Sequence, residues 1–187
     1  MVTISKANES GIRALSKKLL SLLEDKTSQV YQDNVAKFGI PVEYVRESFS
    51  ETALLEAAAS GKSTFYLALD NSQEIVGFAQ TVQHDKDTVE LDRIVIFPKY
   101  TRKGIGTTVL NRVIEDAKLK KASAIVANAG KDEAHARRFY EKNGFTAIKE
   151  ETIETPWGGR ITLVTYRLQL EHEQKPKAAR NTDEQLY

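Results

Sequence analysis

Apolar residues at Ile12, Leu15, Leu19, Leu22 and Leu23 recur at spacings of three and four, the stripe of an amphipathic helix, with Asn8 placed to cap its start. A short strand over 2–7 precedes it. A second helical region over about 42–60 carries Val42, Val45, Phe49, Leu54 and Leu55 and ends at Gly61. Between them, residues 26–41 mix charge with Tyr31, Phe38, Gly39 and Pro41 and read as a loop with partial helix. The pattern then changes to strands over 63–69, 74–83 and 88–97. Asp70-Asn71-Ser72 and His84-Asp85-Lys86-Asp87 turn between them, and Pro98 ends the third. A helical period returns at Ile105, Val109, Leu110, Val113, Ile114 and Ala117, with Lys118, Lys120 and Lys121 at the negative end of the helix dipole. Ala124-Ile125-Val126-Ala127 reads as a short buried strand ending at Asn128. A helix over about 132–143 follows, with Asp132 as its cap and Asn143-Gly144 as its stop. Strands over 145–153 and 160–168 are joined across Pro156-Trp157-Gly158-Gly159.

This order, β-α-α-β-β-β-α-β-α-β-β, predicts an α/β (mixed α+β) fold. Its strand–helix–strand segment from 88 to 128 makes a right-handed parallel crossover within a mixed sheet that has helices on both faces. Residues 1–170 form one domain, and the polar stretch 171–187 is expected to be a disordered tail.

Composition narrows the function classes. Twenty-seven Lys and Arg against 26 Asp and Glu give no bulk attraction to nucleic acid or membrane. No apolar run approaches the roughly 20 residues of a membrane span, and Met1 to Lys6 lack the pattern of a signal peptide. A cytoplasmic location is expected. The absence of cysteine excludes disulfides and any route through a cysteine thioester. His84, His135 and His172 are too scattered for a metal set, so no metal is expected.

The chemistry concentrates in the stretch from Ile96 to Thr107. An apolar strand runs into a basic turn with Lys99, Arg102 and Lys103, then into Gly104-Ile105-Gly106 at the opening of a helix. Such a turn points backbone N–H groups and a helix N-terminus at one spot, which suits a phosphate. A nucleotide-hydrolysing P-loop is excluded, because Lys103 precedes Gly104 and Ile105 follows it. A dinucleotide fingerprint is excluded by Val109 in place of a third glycine. An ordinary strand-to-helix turn is the bland alternative.

With Ala136-Arg137-Arg138-Phe139-Tyr140-Glu141-Lys142-Asn143-Gly144-Phe145 added, the segment Glu90–Gly106 resembles the GNAT superfamily of acyl-CoA-dependent N-acetyltransferases. That family carries Arg/Gln-x-x-Gly-x-Gly/Ala after its fourth strand and Ala-x-x-Phe-Tyr-x-x-x-Gly-Phe further on. Leu91-Asp92-Arg93-Ile94 and Tyr44-Val45-Arg46-Glu47-Ser48-Phe49 are similar to its bacterial polyamine-acetylating branch. One position departs: Thr101 stands first in the glycine motif and the arginine is displaced to Arg102, although Thr101 still has a hydroxyl and an N–H to offer. The resemblance implies a six- to seven-stranded, mostly antiparallel sheet with splayed central strands, and acetyl-CoA as cofactor. It places the pantetheine along Ile94, Val95 and Ile96. It places the diphosphate on the turn formed by Thr101, Arg102, Lys103 and Gly104 with Ile105, Gly106 and Thr107.

The same resemblance assigns Tyr140 as donor to the departing thiolate, a role a neutral phenol suits. Its alternative is the buried face of a helix. Glu90 lies eleven residues before Thr101, where histone-acetylating members place their base; an exposed strand carboxylate, with water as base, is the other reading. Strand alternation sets Glu90, Asp92, Ile94 and Ile96 on one face and Val89, Leu91, Arg93, Val95 and Phe97 on the other. Asn128 is a loose match for an asparagine that holds the pantetheine arm or a water, since the usual position is Glu133; otherwise it is a turn residue. Substrate recognition is expected from residues 30–60 and 153–160, where Asp33, Glu43, Glu47, Glu51 and Glu56 with Tyr31, Phe38, Tyr44 and Phe49 would suit a cationic amine. Partners are therefore a small-molecule amine, such as a polyamine, or a peptide amine, with neither nucleic acid nor membrane. Edge strands near the C-terminus could pair in a homodimer. The competing reading is a non-catalytic acyl-CoA-binding or sensor module.

Overall fold

A computed structural model describes residues 1–171. The expected tail, His172 included, lies outside the described residues apart from Glu171. The first strand, β1 (Thr3–Lys6), leads to α1 (Glu9–Glu24), whose start is held by Asn8 accepting the Gly11 N–H at 2.9 Å. The irregular stretch that follows is a short helical turn, α2 (Gln29–Tyr31), continued by a π turn over Gln32–Ala36. The long second helix expected over 42–60 is two helices, α3 (Val42–Ser48) and α4 (Glu51–Ala59). The Ser50 hydroxyl accepts from the Ala53 N–H and restarts the helix after Phe49. Then come β2 (Ser63–Leu69), β3 (Ile75–Gln83), β4 (Thr88–Ile96), a 3-10 turn over Pro98–Tyr100, α5 (Ile105–Leu119), β5 (Ala124–Gly130), α6 (Ala134–Lys142), β6 (Thr146–Glu154) and β7 (Arg160–Gln169).

The strands make one seven-stranded sheet in the order β1-β2-β3-β4-β5-β7-β6. Every neighbour is antiparallel except β4 and β5, joined by the crossover through α5. Helices cover both faces. Under α5 and α6 lies a layer including Leu91, Val109, Val113, Ile125 and Tyr166; under α1 to α4 lies another with Leu15, Leu19, Phe65, Phe78 and Phe97. A buried carboxylate with two exposed cations ties α5 to the sheet: Asp116, 4% exposed, pairs with Lys6 at 2.9 Å and Arg112 at 3.4 Å. Burial alone would raise the Asp116 pKa, but Lys6, the Tyr66 hydroxyl and Arg112 together hold it below the ordinary value.

Two boundaries differ from the sequence reading for reasons of pairing. Asn128 does not end its strand, because β7 pairs through it, Asn128 opposite Thr165, as far as Gly130. Asp132 does not cap α6; Glu133 stands at that position, and its carboxylate turns back to accept the Gly130 N–H at 2.6 Å.

Candidate active site

The parallel pair β4 and β5 is short. Its register runs from Thr88 opposite Ala124 to Leu91 opposite Ala127 and stops there, although both strands continue. Beyond Leu91 the β5-facing edge of β4 has no strand partner, so alternate backbone N–H and C=O groups toward Ile96 are left for another ligand. The strands part at a bulge. Gln80 pairs with Arg93 and Thr81 with Leu91, so Asp92 is an extra residue in β4.

The bulge corrects the expected facing of this strand. Val89 and Leu91 pack in the α5/α6 layer, and so do Ile94 and Ile96, while Val95 and Phe97 belong to the layer under α1 to α4. One inserted residue inverts the alternation. Glu90 therefore shares its face with Arg93, not with Ile94 and Ile96.

At the end of β4 the chain turns through Pro98–Tyr100 into α5. Arg102 and Gly104 take left-handed φ values of 59° and 77°, which glycine accepts freely and arginine does not. None of the N–H groups from Arg102 through Thr107 finds an acceptor among the described residues; the first to do so is that of Thr108, on the Gly104 carbonyl at 3.1 Å. Six successive donors thus converge at the positive end of a 15-residue helix. Gly106 lets the start of α5 pack closely on Phe139 of α6, since a Cβ there would lie 3.2 Å from that ring. The Thr101 N–H and hydroxyl both donate to the Pro98 carbonyl, at 3.2 and 2.9 Å, and shape the turn. The Lys99 and Lys103 ammoniums lie over the Tyr100 ring at 5.5 and 5.7 Å, which keeps two positive charges on the turn. This cradle fits an anion such as a diphosphate.

On the α5/α6 face, Tyr140 is 5% exposed and ringed by Phe139, Phe145 and Tyr166, with centroids 5.4–5.7 Å away. Its hydroxyl makes no hydrogen bond to the described residues. Burial, then the charges of Glu133 and Asp92, push its pKa well above the usual tyrosine value, so it is a neutral donor at any working pH. On the opposite face Glu90 is held through both oxygens, by His84 Nε2 and by Asn128 Nδ2 at 3.2 Å, and Asn128 Oδ1 accepts from the Thr165 hydroxyl at 2.8 Å. Both ends of the Asn128 amide are thus engaged within the sheet, not turned toward the glycine turn. Asp92 belongs to both faces electrostatically. Burial raises its pKa, Arg93 lowers it, Glu90 raises it and His84 lowers it, and its charge is also felt at Tyr140. The sequence reading passed over Asp92, Arg93 and His84 as functional groups. The readable signal was the adjacent charged pair Asp92-Arg93, where alternation should have placed an apolar residue.

The two segments expected to meet substrate do come together. Trp157 Nε1 donates to the Phe38 carbonyl at 3.3 Å, and the Trp157 and Tyr44 rings lie 6.2 Å apart. Of the acidic groups, Glu51 is paired with Arg13 on α1, and Asp33 accepts from Gln29 at 2.8 Å. Among the described residues no group of three or more His, Cys, Asp or Glu could hold a metal ion, and no helix is long and apolar enough to cross a membrane.

Residues 27–145 match the acetyltransferase (GNAT) family. The chain is 29% identical over 93 residues to the uncharacterized N-acetyltransferase YafP of Escherichia coli, covering 50% of this chain and 53% of that protein. It is 32% identical over 121 residues to N-acetylaspartate synthetase of Danio rerio, covering 59% and 43%. The chain thus spans about half the length of these relatives. In fold it is similar to yncA from Salmonella typhimurium, whose structure holds its cofactor acetyl-CoA: TM-score 0.64, 19% identity, covering 95% of this chain and 99% of that one.

Proposed function

Because the chain belongs to the acetyltransferase (GNAT) family, we propose that it is an acetyl-CoA-dependent N-acetyltransferase, moving an acetyl group directly to a primary amine within a ternary complex. The observation that carries this reading is the run of unpartnered N–H groups from Arg102 to Thr107 beside the open edge of β4. The first suits a diphosphate, and the second suits a pantetheine amide at Ile94, Val95 and Ile96. Bound there, acetyl-CoA supplies an acetyl thioester. The acetyl C–N bond forms as the C–S bond breaks, the amine gives up one proton, and the sulfur leaves as thiolate.

The chain's residues divide this work. Tyr140 donates its hydroxyl hydrogen bond to the departing sulfur, and water restores any proton it passes on. Glu90 takes the amine's proton directly or through water, with His84 and Asn128 holding its carboxylate in place. Asn128 is then a positioning residue for Glu90, and its backbone lies on the β5 side of the opening. Donors on the free edge of β4 stabilise negative charge developing on the thioester oxygen.

The acceptor is a small-molecule or peptide amine. A polyamine would call on Glu43, Glu47 and Glu56, since Glu51 and Asp33 already have partners. The name of the Danio rerio relative adds an amino acid as a candidate. A second copy, if one forms, would meet β6, the outer strand, exposed at all nine positions. One observation favours a second reading, an acyl-CoA-binding module without transfer: both oxygens of Glu90 are already engaged. Calorimetric titration with acetyl-CoA and a thiol-release assay across polyamines, amino acids, aminoglycosides and peptides separate the two. Binding with turnover is expected; binding without turnover supports the module, and no binding overturns both.

A further inference from the structure

Arg93 is the first residue after the bulge, at the point where β4 leaves β5. Its guanidinium lies 5.3 Å from the Phe49 ring centre, and its Nε is 3.5 Å from Asp92 Oδ2, an ion pair too long for a strong hydrogen bond. It makes no hydrogen bond to the described residues. Its side chain nevertheless keeps only 30% of its exposure. A partly desolvated guanidinium with five unused donors is costly unless something fills them.

Its cross-strand partner has the complementary deficit. Gln80 pairs directly with Arg93, so the two side chains share the face under α1 to α4. Gln80 is 7% exposed, and its Oε1 is buried without a partner. The cross-strand pairing sets these two unmet needs side by side, so a guanidinium fixed by a ligand would have that oxygen as an acceptor behind it. The charges around Arg93 are ordered as well. Arg93 is positive, while Asp92 beside it and Glu90 on the same strand are negative, with His84 on Glu90. This pattern repels a ligand carrying only positive charge from the Arg93 side and attracts one whose carboxylate lies a bond or two from its amine.

Resting on the acetyltransferase reading above, we propose that Arg93, positioned by Gln80, binds the carboxylate of the acceptor while Glu90 and Asp92 face its amine, so that the acceptor is a free α-amino acid. A guanidinium fork matches a carboxylate through two parallel hydrogen bonds, which lysine cannot reproduce. Polyamines have no carboxylate, and a peptide's terminal amine has none close by.

The test measures kcat/KM for the common L-amino acids, each against its own α-amide and decarboxylated amine, with spermidine and a tripeptide alongside. For the best amino acid, the ratio to its amide is expected to be about 100. Arg93→Gln brings that ratio to near 1, Arg93→Lys to an intermediate value, and Gln80→Leu lowers it several-fold, chiefly through KM. Acetyl-CoA titration on each variant, together with its thermal melt, shows that cofactor site and fold persist. Preference of the wild type for spermidine or the tripeptide over every amino acid overturns the proposal, as does an Arg93→Gln variant that keeps its carboxylate preference. Failure of the wild type to bind acetyl-CoA is a different result, and it overturns the acetyltransferase reading itself.

Discussion

The two halves of β4 perform opposite tasks with the same backbone. From Thr88 to Leu91 the strand is paired on both sides, and Val89 and Leu91 are 4% and 1% exposed. From Asp92 to Ile96 it is paired on one side only, and its residues are exposed or half-buried. The first half satisfies its backbone and fills the core. The second forgoes one ladder of hydrogen bonds and gains an edge able to hold a ligand. The bulge at Asp92 divides them, and Gln80 of β3, Glu90 and Arg93 of β4 and the Phe49 ring lie around it.

That division is testable through three substitutions. The largest effect is expected from Tyr140→Phe, which keeps the packing around the ring and removes the hydroxyl. On the proposed mechanism kcat falls about 10³-fold, while acetyl-CoA affinity measured by calorimetry stays within a factor of three. Because burial holds the Tyr140 hydroxyl above its ordinary pKa, the wild type should show no alkaline fall in rate from this group below about pH 10. Its linkage to stability has the matching sign: the contribution is intact below about pH 10 and is lost as pH rises toward the folded value. Near-normal turnover of the variant would remove Tyr140 from the chemistry.

Leu91→Ala, in the paired half, should act on stability instead. Truncation at a site 1% exposed costs about 3 kcal/mol, read by urea denaturation, with kcat of the folded enzyme nearly unchanged. A large loss of kcat at full folding would mean that the two halves are not separable. The smallest effect is expected from Glu90→Gln, at the boundary between them. A fall of about 100-fold in kcat/KM with acetyl-CoA affinity retained would identify a base. Unchanged kcat/KM would leave the proton to water.

Much of this was legible from local pattern. The strand over 63–69 stands where alternation and flanking turns put it, and the glycine turn announces itself because left-handed φ at Gly104 and close approach at Gly106 are local demands. What escaped depended on partners distant in sequence. The bulge exists only in the pairing of β4 with β3, so simple alternation misplaced Glu90 relative to Ile94 and Ile96. The extension of β5 through Asn128 to Gly130 comes from β7, and Glu133 displaced Asp132 at the start of α6 because its carboxylate had the Gly130 N–H to satisfy. The engagement of Glu90 by His84 and Asn128, with Thr165 behind Asn128, joins three strands and the β3–β4 hairpin, which no spacing along one strand reveals.

The extra residue at Asp92 also sets how this gene can tolerate changes of length. Losing the Asp92 codon would close the bulge and let β4 alternate regularly, with Leu91, Ile94 and Ile96 still in the α5/α6 layer and Val95 still opposite, but without the irregularity at which β4 leaves β5. Losing one from the exposed His84–Asp87 hairpin would shorten a turn and leave both layers as they are. A single-codon deletion scan across residues 84–96 should therefore return folded protein from both places, with acetyl-CoA affinity retained for the hairpin deletions and reduced for the loss of Asp92.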